Sequence, residues 1–412
     1  MHCTSFEFAN YNLLIYKKME KLFIIILCMA LTLSVWGQTQ DKGTRVSFKP
    51  GDGITVATEN EKFSLNLKTD FYAGVSFDFD KDENERSTSF NIVKARLNLS
   101  GNLWGPKLTY SFQLGFSPND TKTLPNGNSS FVRDAVLHYK PNSHWQLSFG
   151  QTKVKANRAH INSSQLLAFT GRSIVDGPFQ QDRDFGVFAE FNHSLIGKSH
   201  FAIKGSVTSG EGRDFGLTRK SGFNYNGRLE FFPLGIFTDK GEFSEVDLVH
   251  ETNPKLMIGG AFTHNDRALR LGGETGDISI DGGHDLNQYY ADLAFKYQGF
   301  ALQADFMGRN TGRPVISPDQ YIYKGCGYNT QVSYNFPCRK WTVAARFASL
   351  IPNEDVRNAV GYKRQQQTTA AATYHLNGNK FKVQAEASYN HRVEALTPYN
   401  RWQFNVFFEV IL

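Results

Sequence analysis

The residues best suited to handle charge are gathered in the segment 152–182, where Lys153, Lys155, Arg158 and Arg172 stand against Asp176 and Asp182, with His160 able to add a charge below neutral pH. Fixed cations along a narrow aqueous passage lower the cost of admitting an anion, most strongly at low salt. Lys94, Arg96 and Arg346 add basic positions inside strand-like stretches. Each also has a plainer use. Charges on a solvated loop do nothing specific, and an arginine opposite an inward acid is its structural partner. Other chemistry is poorly served. Asp78, Asp80 and Asp82 have the opening spacing of a calcium loop, but Glu83 stands where glycine should make the turn and Ser89 where a bidentate glutamate belongs. His250-Glu251 lacks the second histidine of a zinc-protease helix, and the Gly-rich stretch 270–285 lacks the lysine of a phosphate loop. No Ser, His and acid trio stands out, so the sequence is read as non-enzymatic, with no cofactor or metal to assign.

What must position those cations is a set of strands. The last eleven residues show the type: Trp402, Phe404, Val406, Phe408, Val410 and Leu412 form one apolar row, with Gln403, Asn405 and Glu409 in the row between. A strand turns alternate side chains to opposite faces, so one face here meets lipid or a core and the other is mixed. The same alternation recurs in 108–116, 341–347 and 381–389, while 131–140 carries apolar residues in both parities. Strands are expected at 63–79, 90–101, 107–117, 131–140, 144–151, 183–193, 199–209, 222–233, 254–264, 286–298, 299–309, 326–336, 340–350, 367–377, 380–390 and 401–412, sixteen in all.

The connections discriminate between architectures. Links after even strands are tight and rich in Gly, Pro and Asn, as at Trp104-Gly105-Pro106 and Asn377-Gly378-Asn379. Links after odd strands are mostly long and polar: 80–89, 118–130, 152–182, 210–221, 265–285, 310–325, 351–366 and 391–400. Short turns at one end and long loops at the other are the build of an outer-membrane barrel, with both termini in the periplasm when the strand number is even. The expected fold is therefore all-β, a 16-stranded antiparallel transmembrane β-barrel with short periplasmic turns and long extracellular loops. The segment 234–253, about twenty residues where a short turn belongs, breaks the pattern without a sequence-level explanation.

Composition agrees. A mean hydropathy of −0.40 looks soluble, but a polar inner face cancels a lipid face in such an average. The 35 Phe and 17 Tyr, against 5 Met, suit strands and interfacial girdles. Lys17, Lys18 and Lys21 precede an apolar run from Leu22 to Val35 that stops at Trp36-Gly37-Gln38, the layout of a secretory signal over 1–37, with Met19 an alternative start. Residues 38–62 read as a periplasmic lead-in or small plug, and 63–412 as the barrel. Cleavage would leave 42 basic and 37 acidic residues, a mild excess that gives no reason to expect nucleic acid. Cys326 and Cys338 lie too far apart along one extended segment for a disulfide.

Lys94-Ala95-Arg96 with Gly101-Asn102-Leu103, then Arg133-Asp134-Ala135, Phe149-Gly150-Gln151 with Lys153-Val154, and Arg183-Asp184-Phe185-Gly186 follow one another in an order and spacing that resembles the phosphate-selective porin O and P family. The resemblance implies a homotrimer in the bacterial outer membrane and a preference for anions such as phosphate. One feature departs from it: Lys68, Lys94, Arg96, Lys204, Arg228, Lys296, Arg346 and Lys382 are matched by Asp70, Asp134, Glu190, Glu230, Asp292, Asp305, Glu386 and Glu409 on the inward face, so the wall is close to neutral.

The function expected is passive diffusion of small hydrophilic solutes, with a mild preference for anions set by Lys153, Lys155, Arg158, Arg172, Lys94, Arg96 and Arg346. The expected partners are those solutes, outer-membrane lipid and lipopolysaccharide, and the barrel-assembly machinery. The alternatives are a barrel acting mainly as an adhesin or scaffold, and a secreted soluble β-sheet protein that binds ligand.

Overall fold

Sixteen antiparallel strands close on themselves: β1 (Ser64–Asp80), β2 (Glu85–Asn102), β3 (Leu108–Gly115), β4 (Val132–Tyr139), β5 (Trp145–Lys153), β6 (Arg183–Ser194), β7 (His200–Thr208), β8 (Asn224–Phe232), β9 (Lys255–Ala268), β10 (His284–Tyr297), β11 (Phe300–Asn310), β12 (Gly325–Asn335), β13 (Trp341–Pro352), β14 (Arg364–Asn377), β15 (Phe381–Val393) and β16 (Asn400–Ile411). Every strand pairs with its neighbours in sequence, and β16 returns to β1 from Arg401↔Asp80 to Ile411↔Asp70. Closure leaves no free edge, which is what a sheet in hydrocarbon requires. This is a computed structural model; it describes residues 43–123, 129–195, 197–214 and 221–412, and Val46–Leu412 form the unit considered below. The segment 1–37, expected to be a secretory signal, lies outside the described residues.

The alternation sets the two faces. Trp402, Phe404, Val406 and Phe408 are exposed on the outer surface, whereas Asn405 and Glu409 are buried inside. Aromatic pairs band the outside at both ends: Trp145 with Phe191 and Trp341 with Tyr374 at the turn end, Tyr389 with Trp402 at the loop end, each at 4.9 Å between ring centroids. Such girdles sit where hydrocarbon gives way to headgroups. Where β16 stops, a short strand, Gly53–Thr58, pairs with the first residues of β1, from Ala57↔Ser64 to Ile54↔Leu67.

One expectation needs correction, and one ambiguity finds its cause. The link 80–89 is not a long loop: β1 and β2 stay paired as far as Asp80↔Glu85, leaving four residues in the turn. Asp80 there accepts from the Asp82 and Glu83 amides and pairs with Arg401, so its carboxylate is committed to the turn. The mixed parity of 131–140 comes from a β-bulge, because Gln113 faces Asp134 while Leu114 faces Val132. The extra residue, Arg133, is turned inward beside Asp134, and both are buried. A second bulge between Tyr72 and Ala73 skips Val93, so that Ile92 faces out and Lys94 faces in.

Candidate functional site

The chain between β5 and β6 folds into the barrel from the loop end. It carries two single-turn helices, α1 (Arg158–Ile161) and α2 (Asp176–Phe179), and a 3-10 turn at Ser164–Leu166. Its apolar side is the reason it enters. Val154, Ala156, Val175 and Phe179 bury themselves against Phe188, Tyr290, Met307, Ala348 and Leu350 of the wall, each large side chain contributing about 1.5–3 kcal/mol. Polar groups then fix its path. Tyr290 donates to the Phe179 carbonyl at 2.8 Å, Arg346 to that of Gly171 at 2.9 Å, and Lys382 to those of Gln165 and Leu167 at 2.8 and 3.2 Å. Lys153 donates to the His160 carbonyl at 2.6 Å, and Arg172 to those of Ala159 and Asn162 at 2.7 and 2.8 Å.

The segment 234–253 folds in from the opposite, turn end. Phe237 joins Phe232, Ala202, Met257 and Ala294 in a buried cluster, while Val246 packs with Ala168 and Phe169 of the inward loop and with Ala344 and Ala371 of the wall. Wall side chains hold its backbone: Lys296 donates to the Val246 carbonyl at 2.7 Å, Gln303 to Ser244 at 3.1 Å and Ser333 to Glu245 at 2.9 Å. The two intruding segments meet in mid-lumen, where the Glu245 amide donates to the Leu166 carbonyl and its carboxylate accepts from the Ala168 amide, both at 2.9 Å. The unexplained long turn is thus an internal filling of the half of the barrel formed by β7 to β14.

Open space remains against β1 to β6. A cavity of about 330 Å³ runs between the inward loop and this wall, lined by six basic residues, Lys94, Arg96, Arg133, Lys153, Arg172 and Arg183, against two acids, Asp120 and Asp182. A second cavity, about 290 Å³, opens at the turn end beside Asp52, Lys68 and Lys380, and Gln165 lines both. The basic residues are held in place by partners. Asp120 receives Arg96 at 2.8 Å and Arg133 at 2.6 Å. Arg183 binds Asp134 and Asp182 at 3.1 and 3.0 Å, and Lys94 binds Glu409 at 2.5 Å while lying 4.6 Å from the Tyr72 ring centroid. His160 sits between Asp176 at 3.1 Å and Asp182 at 2.9 Å.

Of the seven residues singled out in the sequence, Lys94, Arg96, Lys153 and Arg172 come together around the larger cavity. Arg158 and Arg346 do not. Arg158 is buried 4.0 Å from Glu230 and over the Phe243 ring, and Arg346 covers Phe169 at 4.2 Å, so both fasten the filling to the wall. Lys155 is half-buried and forms no ion pair among the described residues. Arg133 and Arg183 belong to the family-like motifs but not to the seven residues that the sequence singles out. The double parity of 131–140 was the available signal for Arg133, and its cause, the bulge, depends on the partner strand. The near-neutral charge count of the wall also misleads, because Lys204, Arg228, Glu230 and Asp292 satisfy one another under the filling at 2.6–2.8 Å.

A family model described as phosphate-selective porin O and P matches residues 65–401, most of the chain and all but the ends of the barrel. The chain belongs to this family. It is an outer-membrane porin, and the lumen just described is its channel. Solved structures share the fold at low identity. The anion-selective porin from Comamonas acidovorans aligns with a TM-score of 0.52 and 11% identity, over 85% of this porin and 100% of that chain. The outer membrane channel DcaP of Acinetobacter baumannii gives 0.52 and 11%, over 86% and 99%. The trimer form of OmpT of Vibrio cholerae gives 0.50 and 12%, over 84% and 99%. Among curated proteins there is no match to the sequence.

Proposed function

We propose that this porin is a passive, non-enzymatic and mildly anion-preferring channel whose solutes travel down one side of the barrel, past Lys94, Arg96, Arg133, Lys153, Arg172 and Arg183, and through the neck at Gln165. The observation that carries this reading is the charge of the open space: six basic against two acidic lining residues in the cavity that the two intruding segments leave. In a narrow passage with low-dielectric walls such an excess raises the local concentration of small anions, phosphate among them. The ion pairs moderate the effect without cancelling it, since Asp120 is shared by Arg96 and Arg133, and Lys153 and Arg172 donate to backbone carbonyls. The anion selectivity of the Comamonas protein supports the same direction.

Assembly as a homotrimer, after the trimer form of the Vibrio OmpT, is part of the proposal. So are contacts with lipopolysaccharide around the barrel and delivery by the barrel-assembly machinery. Reversal potentials in planar bilayers across a potassium chloride gradient test the central reading. The expected sign is that of an anion-preferring pore, and a clear cation preference would contradict it.

A further inference from the structure

His160, on α1, has a carboxylate at each ring nitrogen. Its Nδ1 lies 3.1 Å from Asp176 on α2, and its Nε2 lies 2.9 Å from Asp182, the last residue before β6. His160 and Asp176 are both buried. Each carboxylate is also held from a second side. Asn157 donates to the other oxygen of Asp176 at 2.9 Å, Arg172 lies 3.9 Å from that carboxylate, and Arg183 donates to Asp182 at 3.0 Å. The ring therefore joins three parts of the inward loop: its first helix, its second helix and its exit into the wall.

The protons on the ring decide what these two contacts are. A neutral imidazole offers one N–H and one lone pair, and an ionised carboxylate only accepts, so both contacts are hydrogen bonds in the imidazolium alone. Arg172 and Arg183 beside the acids favour their ionised form. Loss of one ring proton replaces a charge-assisted bond by a lone pair facing a carboxylate in a largely buried setting. The other groups around the ring are engaged elsewhere. Lys153 of β5 and Arg172 donate to the His160 carbonyl at 2.6 and 3.5 Å, Arg183 of β6 also binds Asp134 of β4, and Arg133 of β4 binds Asp120. Tyr290 of β10 gives its hydroxyl to the Phe179 carbonyl of α2. These cations oppose a further positive charge on the ring, and the two acids in contact favour it.

His160 also lines the open cavity, beside the six basic and two acidic residues already named, so its charge counts in the passage itself. We propose, building on the anion-preferring reading of the passage, that His160 is a proton-operated selectivity residue of this porin. Protonated, it adds a cation to the lining and latches α1 to Asp176 and Asp182. Deprotonated, it withdraws that charge and releases one of the two acids. Both changes act in the same direction, so the preference for anions is greater in acid than in alkali.

The full-length porin is placed in planar bilayers, and its reversal potential in a potassium chloride gradient is measured from about pH 5 to about pH 9. The anion-to-cation permeability ratio should rise by at least about two-fold on acidification. His160→Gln should remove this step and match the wild type only at the alkaline end. His138→Gln, which alters a histidine of β4 bonded to Ser148, should keep it. The same step in His160→Gln would overturn the proposal. Should that variant fail to assemble, the wild type alone decides, because a ratio flat over the range also overturns it. A step that vanishes in His160→Gln supports the proposal even in a pore that prefers cations throughout, a result that contradicts only the anion-preferring reading.

Discussion

The Gln165 side-chain amide donates a 2.9 Å hydrogen bond to Asp70, tying the tip of the inward loop to β1 at the point where the upper and lower cavities share a lining residue. The Gln165 carbonyl is held from the other side by Lys382. Because Lys382 holds the backbone carbonyl, the position stays at the neck whatever side chain it carries. Gln165→Trp is expected to cut single-channel conductance by at least about two-fold, with barrel assembly unchanged on heat-modifiability gels. Unaltered conductance would mean that solutes take another route.

Selectivity should follow the cavity rather than the wall as a whole. Replacing Arg96 and Arg133 by Gln leaves Asp120 without its two cations. The lining then changes from six basic residues to four against the same two acids. Bilayer reversal potentials should shift toward neutrality, with the difference from wild type largest at low salt. The double variant should also unfold more easily, because removing partners from a buried carboxylate costs several kcal/mol, about 3–5 for a fully buried pair.

Lipid contact by β16 predicts an asymmetry along one strand. Phe404 and Val406 are 46% and 49% exposed on the outside, whereas Asn405 is buried inside and donates to Thr170 at 3.1 Å. Asp at Phe404 or Val406 places a charge in hydrocarbon, costing on the order of 2 kcal/mol. Asp at Asn405 adds a charge near Glu386, but in a polar lumen. Yields of folded barrel should fall more for the two outward variants, and equal yields for all three would refute the register.

The outer loops should respond to pH. Burial, reinforced by Asp184 and opposed by the Leu269 amide and Arg270, holds the Glu211 carboxyl up to about 7, and Glu274 is displaced in the same direction. A carboxyl raised on folding stabilises the fold below its unfolded pKa, and that contribution is lost as pH rises through the folded value. The thermal midpoint should therefore drop between pH 6 and 8, less so in Glu211→Gln. A midpoint flat across that range would contradict a raised Glu211 carboxyl.

The barrel was legible because lipid imposes a two-residue period on each strand and closure imposes an even number of them. Trp402 to Val410 and Phe381 to Tyr389 show the pattern without any partner. The bulges at Val93 and Arg133 were not legible, since each exists only against a neighbouring strand. The filling of the lumen had left a trace that alternation alone does not interpret: Phe188, Phe232, Met257, Tyr290 and Met307 are large apolar residues on the inward face, each a docking point for an intruding segment. Two of them, Phe232 and Met257, flank the segment 234–253, whose own Phe237 and Val246 supply the matching apolar surface. Charge counting missed the basic passage because the filling hides Arg228, Glu230 and Asp292 and leaves Arg96, Arg133 and Arg183 lining the open side.

That the channel is what two intruding segments leave open can be measured by removing one of them. Replacing 234–253 with a short Asn-Gly turn joins β8 to β9 in the manner of the other turn-end hairpins and frees Lys296, Gln303 and Ser333 from the backbone they now hold. Single-channel conductance of the replaced form should rise by at least about two-fold, with weaker anion preference, as befits a wider aqueous lumen. Conductance and selectivity equal to those of the wild type would show that the segment does not narrow the pore.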